Sequence, residues 1–244
     1  MKKIFFILLT LFLLSCENDS TDKQSTDGKE GSTATFILKN NNMYVVDQTN
    51  LNVFSLVDPE NPVKVNTLAV GFNIETLFSM NDYLFIGSRD GMYIYSIAQE
   101  PENPTFVSAA QHFTACDPVV ANNTHAFVTL HSNTRCGGNI NQLMVYNITN
   151  IQTPTLLTTR SLAEPKGLAV NGNYLFICDK DNIVIFDITN PQNISVAKTI
   201  TNVPAKDLII DGDKLYAFTN SEVKQFSIDP SNIQNISLLS SYTL

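Results

Sequence analysis

Short runs of apolar and β-branched residues, separated by turn residues, repeat along most of this chain. Within residues 167–200 the pattern predicts strands at 168–170, 174–178, 183–188 and 194–200. The separating segments, Asn-Gly-Asn, Asp-Lys-Asp-Asn and Thr-Asn-Pro-Gln-Asn, contain the residues that tight turns favour. The segment is therefore predicted to form one sheet of four short antiparallel strands.

The same pattern occurs four more times between about residue 36 and the C-terminus. Matching second strands carry the anchor positions Tyr44, Leu84, Ala126, Leu175 and Tyr216. The period is about 40 residues, and a segment of about 40 residues with four strands has the size of one propeller blade. We therefore predict an all-β protein, a β-propeller of five blades with four antiparallel strands each.

The third strand and the turn after it carry a recognisable signature. The segment IVIFDITNPQNI at 183–194 has related segments at 53–63, 94–105 and 144–155. This resembles the LVIVD repeat family, whose members look like β-propellers and include many bacterial surface or periplasmic proteins without a known activity. The resemblance covers residues 36–244 and implies a fold, but it is nearly silent about activity.

The N-terminus has a different character. Lys2 and Lys3 precede an apolar run from Ile4 to Leu14 that is too short to span a bilayer and long enough for a signal peptide. Leu13-Leu14-Ser15-Cys16 resembles the lipobox of bacterial lipoproteins, which implies cleavage before Cys16 and lipid on that cysteine. We expect a signal peptide at 1–15, a flexible acidic tether at 16–33 and the propeller at 34–244.

Charge and location narrow the choice of partners. The formal net charge is −8 and no basic cluster is present, which argues against nucleic acid as a partner. We expect a lipid-anchored, palmitoylated outer-membrane protein on the periplasmic side or at the cell surface. Its contact with the membrane would be the N-terminal lipid, and its further partner a protein or a glycan.

One set of polar residues aligns at the start of the first strand of each repeat, which lines the channel of a propeller. The aligned residues are Thr35, Glu75, Asp117, Lys166 and Lys206. This ring either binds a small polar ligand or is simply hydrated. A one-residue error in the alignment would turn the corresponding side chain in another direction.

The third repeat contains cysteine and histidine residues that could form a disulfide or a metal site. Cys116 and Cys136 form a disulfide, remain free thiols or contribute to a metal site; outside the cytoplasm the disulfide is favoured. We expect no metal site, because His125 and His131 are too far apart on one strand to share an ion. Cys178 follows an apolar run and should be buried.

Motifs of known enzymes are missing from the sequence, and no cofactor is expected. The leading expectation is a membrane-anchored, non-catalytic binding or scaffolding module. The alternative is a channel-centred hydrolase or lyase that acts on a small polar or carbohydrate substrate.

Overall fold

The computed structural model describes residues 29–111, 118–131, 140–229 and 231–244. These residues form twenty strands in five sheets. Blade 1 contains β1 (Phe36–Lys39), β2 (Asn42–Val46), β3 (Asn50–Ser55) and β4 (Val63–Ala69). Blade 2 contains β5 (Ile74–Met80), β6 (Tyr83–Ser88), β7 (Gly91–Ser96) and β8 (Thr105–Gln111). Blade 3 contains β9 (Val119–Ala121), β10 (His125–Leu130), β11 (Gln142–Asn147) and β12 (Thr155–Ser161). Blade 4 contains β13 (Pro165–Asn171), β14 (Tyr174–Asp179), β15 (Asn182–Asp187) and β16 (Ser195–Ile200). Blade 5 contains β17 (Asp207–Asp211), β18 (Lys214–Phe218), β19 (Glu222–Ser227) and β20 (Ser237–Thr243).

Each blade is a four-stranded antiparallel sheet built from four consecutive strands, with the first strand innermost. The prediction of a five-bladed β-propeller is therefore confirmed. We call the face at which the innermost strands begin the upper face, and the face at which they end the lower face. No helix long and apolar enough to cross a membrane occurs in the part of the chain that the structure describes.

Neighbouring blades pack face to face through four apolar clusters, which join blades 1 and 2, 2 and 3, 3 and 4, and 4 and 5. We call the face that packs on the next blade along the chain the forward face, and the other the backward face. In blade 2, Phe85 belongs to the forward face, whereas Leu84 and Ile86 belong to the backward face; all three are 0 % exposed. The middle strands of blades 2 to 4 are thus buried on both faces.

Blades 1 and 5 are buried on one face only. Along β2, Tyr44 is buried against blade 2, whereas Met43 and Val45 on the backward face are half-exposed. Along β18, Ala217 is buried against blade 4, whereas Tyr216 on the forward face is half-exposed. Within the described ranges no apolar cluster connects blade 5 with blade 1. The ring therefore has four packed joints and one open joint.

The strand pairing corrects two of the predicted anchor positions. In the first hairpin of blade 2, Leu84 is the second residue of its strand, and the residues in that position in blades 1 and 5 are Met43 and Leu215. Tyr44 and Tyr216 are one residue further along and face the other side of the sheet. The consecutive apolar residues of these strands hid the register from the sequence alone.

The segment before β1 lies inside the channel. The Glu30 carboxylate accepts hydrogen bonds from the Ser79 backbone N–H at 2.9 Å and from its hydroxyl at 2.8 Å. The Ser32 hydroxyl donates to Asp207 at 2.9 Å and accepts from the Leu168 N–H at 2.8 Å. The last residues of the predicted tether thus pack against blades 2, 4 and 5, and we call residues 29–33 the channel segment.

Candidate functional site

A cavity of about 380 Å³ opens where the innermost strands begin, at the upper face. We call it the upper pocket. Blades 2 to 5 contribute to its wall, and the channel segment contributes Thr33. Its lining consists of Thr33, Glu75, Thr76, Pro118, His131, Pro165, Lys166 and Lys206.

Irregular strand pairing places two of the charged residues at the pocket. In blade 2, Ile74 pairs with Ser88 and Thr76 with Gly87, which leaves Glu75 as an extra residue in a β-bulge. A similar irregularity in blade 4 lies between Pro165 and Leu168 and contains Lys166. Bulges redirect side chains that regular pairing would alternate between faces, so they explain how a carboxylate and an amine come to line one cavity.

Hydrogen bonds hold the backbone beneath the two lysines. The Thr129 hydroxyl, on a fully buried residue, donates to the Lys166 carbonyl at 2.7 Å. The Lys206 carbonyl accepts from the Gly167 N–H at 2.9 Å, and the Lys206 N–H donates to the Phe218 carbonyl at 2.7 Å. These bonds connect blades 3, 4 and 5 and fix where the two lysine side chains begin.

A buried carboxylate also supports the loop before Lys166. Asp179 accepts hydrogen bonds from the backbone N–H groups of Ala163 at 2.9 Å and Glu164 at 2.6 Å. Two N–H groups that would otherwise be unpaired are satisfied by one side chain. The loop that leads to Pro165 and Lys166 is therefore held by hydrogen bonds to a buried side chain.

Two ionisable groups of the pocket, Glu75 and His131, have pKa values that are shifted towards the neutral form. Burial raises the pKa of Glu75, and the positive charge of Arg89 opposes that rise. Burial lowers the pKa of His131, with smaller and opposing contributions from Glu164 and Lys166. The pocket therefore combines a carboxylate of increased basicity, a neutral imidazole and two amines, which is a combination suited to proton transfer and to the binding of an anion.

Three of the five residues of the predicted ring meet at this pocket: Glu75, Lys166 and Lys206. The carbonyl of Thr35 pairs with the Val46 N–H in a position that corresponds to Thr76 of blade 2, so the residue equivalent to Glu75 is Ala34. Thr33 occupies the pocket wall in place of Thr35. Asp117 lies outside the described residues.

Five lining residues were not predicted from the sequence: Thr33, Thr76, Pro118, His131 and Pro165. His131 was considered only as a zinc ligand, and its position at the end of the second strand of blade 3 was the available signal for the upper face. Thr33 belonged to the predicted tether, and no sequence signal placed it at the channel.

Among the cysteines, only the prediction for Cys178 can be compared with the structure. Cys178 is fully buried and free, as expected, and burial raises its pKa well above the ordinary value. Cys16, Cys116 and Cys136 lie outside the described residues, so lipidation and the disulfide stay predictions. In the described ranges no group of three or more His, Cys, Asp or Glu side chains forms a metal site.

The family comparison matches one blade. The LVIVD repeat model matches residues 165–201, which correspond to blade 4 from the start of β13 to just beyond the end of β16. The expected resemblance to this repeat family is thus confirmed, and the matched repeat coincides with a structural blade. A search of curated proteins finds no match.

Solved structures share the fold at low sequence identity. A protein of unknown function from Desulfotomaculum acetoxidans superimposes with a TM-score of 0.72 at 14% identity, over 89% of this chain and 71% of that one. The periplasmic gluconolactonase of Pseudomonas aeruginosa superimposes with a TM-score of 0.65 at 14% identity, over 84% and 68% of the two chains. A candidate 6-phosphogluconolactonase from Bacteroides fragilis gives a TM-score of 0.66 at 9% identity, over 86% and 69%.

These comparisons correct the functional expectation. The sequence favoured a non-catalytic binding or scaffolding module, and this was wrong: lactonase propellers among the structural neighbours support the alternative, a channel-centred enzyme. Likeness at these identities shows the fold alone. The activity must be argued from the pocket itself.

Proposed function

We propose that the upper pocket is the active site of a lactonase-type hydrolase that acts on a small, polar, anionic lactone. The observation that carries this proposal is the convergence of Glu75, Lys166 and Lys206 on one cavity at the upper face. The fold shared with a gluconolactonase directs the choice among hydrolytic reactions, and it does so as an analogy.

The Glu75 carboxylate is the general base. Since burial raises its pKa, it accepts a proton more readily than an ordinary glutamate. It takes one proton from a water molecule, whose oxygen forms a bond to the lactone carbonyl carbon. The bond from that carbon to the ring oxygen then breaks, and Glu75 returns the proton to the leaving alkoxide. The products are one hydroxy acid per lactone consumed and, at neutral pH, one released proton.

Lys166 and Lys206 supply positive charge in the same cavity. An ammonium group stabilises the oxyanion that develops on the lactone carbonyl oxygen, and a second one binds an anionic substituent of the substrate. Two cations beside one carboxylate favour an anionic substrate over a neutral one. The substrate class is therefore a sugar-acid lactone that carries a phosphate or a carboxylate.

The first prediction concerns the rate of lactone hydrolysis. Release of protons from 6-phosphogluconolactone and from neutral gluconolactone is followed in weak buffer, with spontaneous hydrolysis subtracted. We expect Glu75→Gln to lower kcat by about 100-fold or more. Lys166→Ala and Lys206→Ala should each raise KM by about tenfold for the phosphorylated lactone, and by less for the neutral one.

Matched controls come from the surface of blade 1. Glu60 in the loop before β4 and Lys64 on β4, the outermost strand of blade 1, are both exposed, so Glu60→Gln and Lys64→Ala should leave both parameters unchanged. The rate should fall with decreasing pH at a higher pH than an ordinary glutamate would give, because the raised pKa protonates Glu75 earlier. Full activity of Glu75→Gln, or no hydrolysis of any lactone by the wild type, would overturn the proposal.

A further inference from the structure

The four packed joints use equivalent residues, which gives a standard for judging the open joint. The third strand of blade 2 places Tyr95 on the backward face at the joint with blade 1. The equivalent residues of blades 3, 4 and 5 are Tyr146, Phe186 and Phe226. These four aromatic side chains are 6%, 3%, 2% and 4% exposed. A large apolar residue is therefore buried in this position wherever a preceding blade is present.

The backward face of blade 1 also has large apolar residues at these positions, but no blade covers it. Phe54 is in the position equivalent to Tyr95 and is partly exposed. Phe36, equivalent to Leu77, is 55% exposed, whereas Leu77 is 0% exposed. Met43, Val45 and Leu56 extend the same apolar surface.

The forward face of blade 5 is the complementary case. Val223 on β19 is equivalent to Leu51, Met92, Leu143 and Ile183, which are all buried at packed joints. It is partly exposed, as are Ile209 and Tyr216 on the same face. Blade 5 therefore ends in an apolar surface of the kind that receives a backward face elsewhere in the molecule.

The two open faces are connected at the channel by the channel segment. Asp207 of β17 accepts hydrogen bonds from the Thr33 N–H at 3.2 Å and the Thr33 hydroxyl at 2.7 Å. At the joint between blades 4 and 5, by contrast, the Gly167 N–H donates directly to the Lys206 carbonyl. The fifth joint is thus closed at its inner edge by residues 32 and 33, while the apolar faces further out stay uncovered.

We propose that a second copy of this chain covers these faces, with the forward face of blade 5 in one copy packed on the backward face of blade 1 in the other. The reason is that every packed joint in the molecule pairs a forward face with a backward face. A second copy presents the missing partner of each open face, with apolar residues at most of the positions that the four internal joints use. The exception on blade 5 is Gln225, whose equivalents at the packed joints are the buried residues Val53, Ile94, Val145 and Ile185. Such a contact is head-to-tail, because it joins two different surfaces.

A head-to-tail contact makes a distinctive prediction for mixed variants. Phe54→Glu places a charge on the backward face of blade 1, and Val223→Glu places a charge on the forward face of blade 5. Each variant therefore disrupts one of the two faces. We expect the wild-type full chain to associate with increasing concentration in analytical ultracentrifugation, and each variant alone to be at least tenfold weaker in association. An equal mixture of the two variants keeps one intact pair of faces, so it should form a dimer and nothing larger.

The control is Leu156→Glu, which introduces the same charge at a 49% exposed position on the outer strand of blade 3 and should associate like the wild type. Val45→Ser and Tyr216→Ser provide a milder second pair if a glutamate variant fails to fold. A wild-type chain that stays monomeric at all concentrations overturns the proposal. So does association that survives both variants, or a mixture that is no larger than its components.

Discussion

Asp207 is the residue on which the inner edge of the open joint depends. Its carboxylate accepts hydrogen bonds from the Ser32 hydroxyl, the Thr33 N–H and the Thr33 hydroxyl. Ser32 is 1% exposed, so its hydroxyl has little access to water as a substitute partner. One carboxylate thus attaches the segment before blade 1 to blade 5.

We expect Asp207→Asn to lower the free energy of unfolding by about 1–2 kcal/mol, because the amide accepts fewer of these bonds and carries no charge. The measurement is urea denaturation followed by circular dichroism. Asp211→Asn, at an exposed position on the same strand, serves as the control and should change little. Equal stability of the two variants would show that the carboxylate does not hold the segment.

The candidate site was predictable from the sequence as far as strand positions could be aligned. Glu75, Lys166 and Lys206 were found because the first strands of blades 2, 4 and 5 were aligned correctly. Thr35 was chosen one residue too late, because β1 is preceded by no earlier repeat that could fix its start. Thr33 could not be predicted as a pocket residue, since its position depends on hydrogen bonds to a residue 174 positions away.

At the scale of the element, the close contact between β13 and β17 limits the size of the residue that blade 4 can have at position 167. A Cβ atom added to Gly167 would approach the Asp207 Cα and the Lys206 carbonyl oxygen at 2.7 Å each. Both are backbone atoms, which cannot move aside as a flexible side chain can. Glycine is therefore required for the approach of β13 to β17.

Gly167→Ala should accordingly lower the free energy of unfolding by about 1–3 kcal/mol through overpacking at this joint. Thermal and chemical denaturation both test it. Gly71→Ala is the matched control, because its added Cβ would lie 3.3 Å from the Tyr93 hydroxyl, at the end of a side chain that can shift. A loss of stability no larger than that of the control would contradict the explanation.

Strand existence was easier to predict than strand register. In blade 4 the predicted and observed second strands agree to within one residue, because Asn-Gly-Asn and Asp-Lys-Asp-Asn mark the turns. In blade 1 the strand NMYVV has apolar residues in succession, so alternation could not show that Tyr44, rather than Met43, faces the next blade. Consecutive burial on two faces removes the period of two on which register depends.

At the scale of the whole molecule, blades that are packed on two faces should be locally more stable than blades that are packed on one face. The second strands of blades 2, 3 and 4 are covered on both sides, whereas β2 and β18 are covered on one. Every one of these strands is paired on both edges, so backbone hydrogen bonding does not distinguish them.

Hydrogen exchange tests this difference, since protected amides exchange through local opening. Amides of β2 and β18 should exchange at least tenfold faster than those of β6, β10 and β14 in the dilute protein. Raising the protein concentration should slow β2 and β18 selectively if copies associate through the end blades. Uniform protection of all five blades at low concentration would contradict the open joint.

The course of the channel segment also gives the molecule a direction. Lys29 lies beside Lys39 and Ser79, where the innermost strands end, so the described part of the chain begins at the lower face. The upper pocket opens at the opposite pole. A support that holds the protein at Lys29, on the lower face, would therefore leave the mouth of the pocket turned towards the solvent.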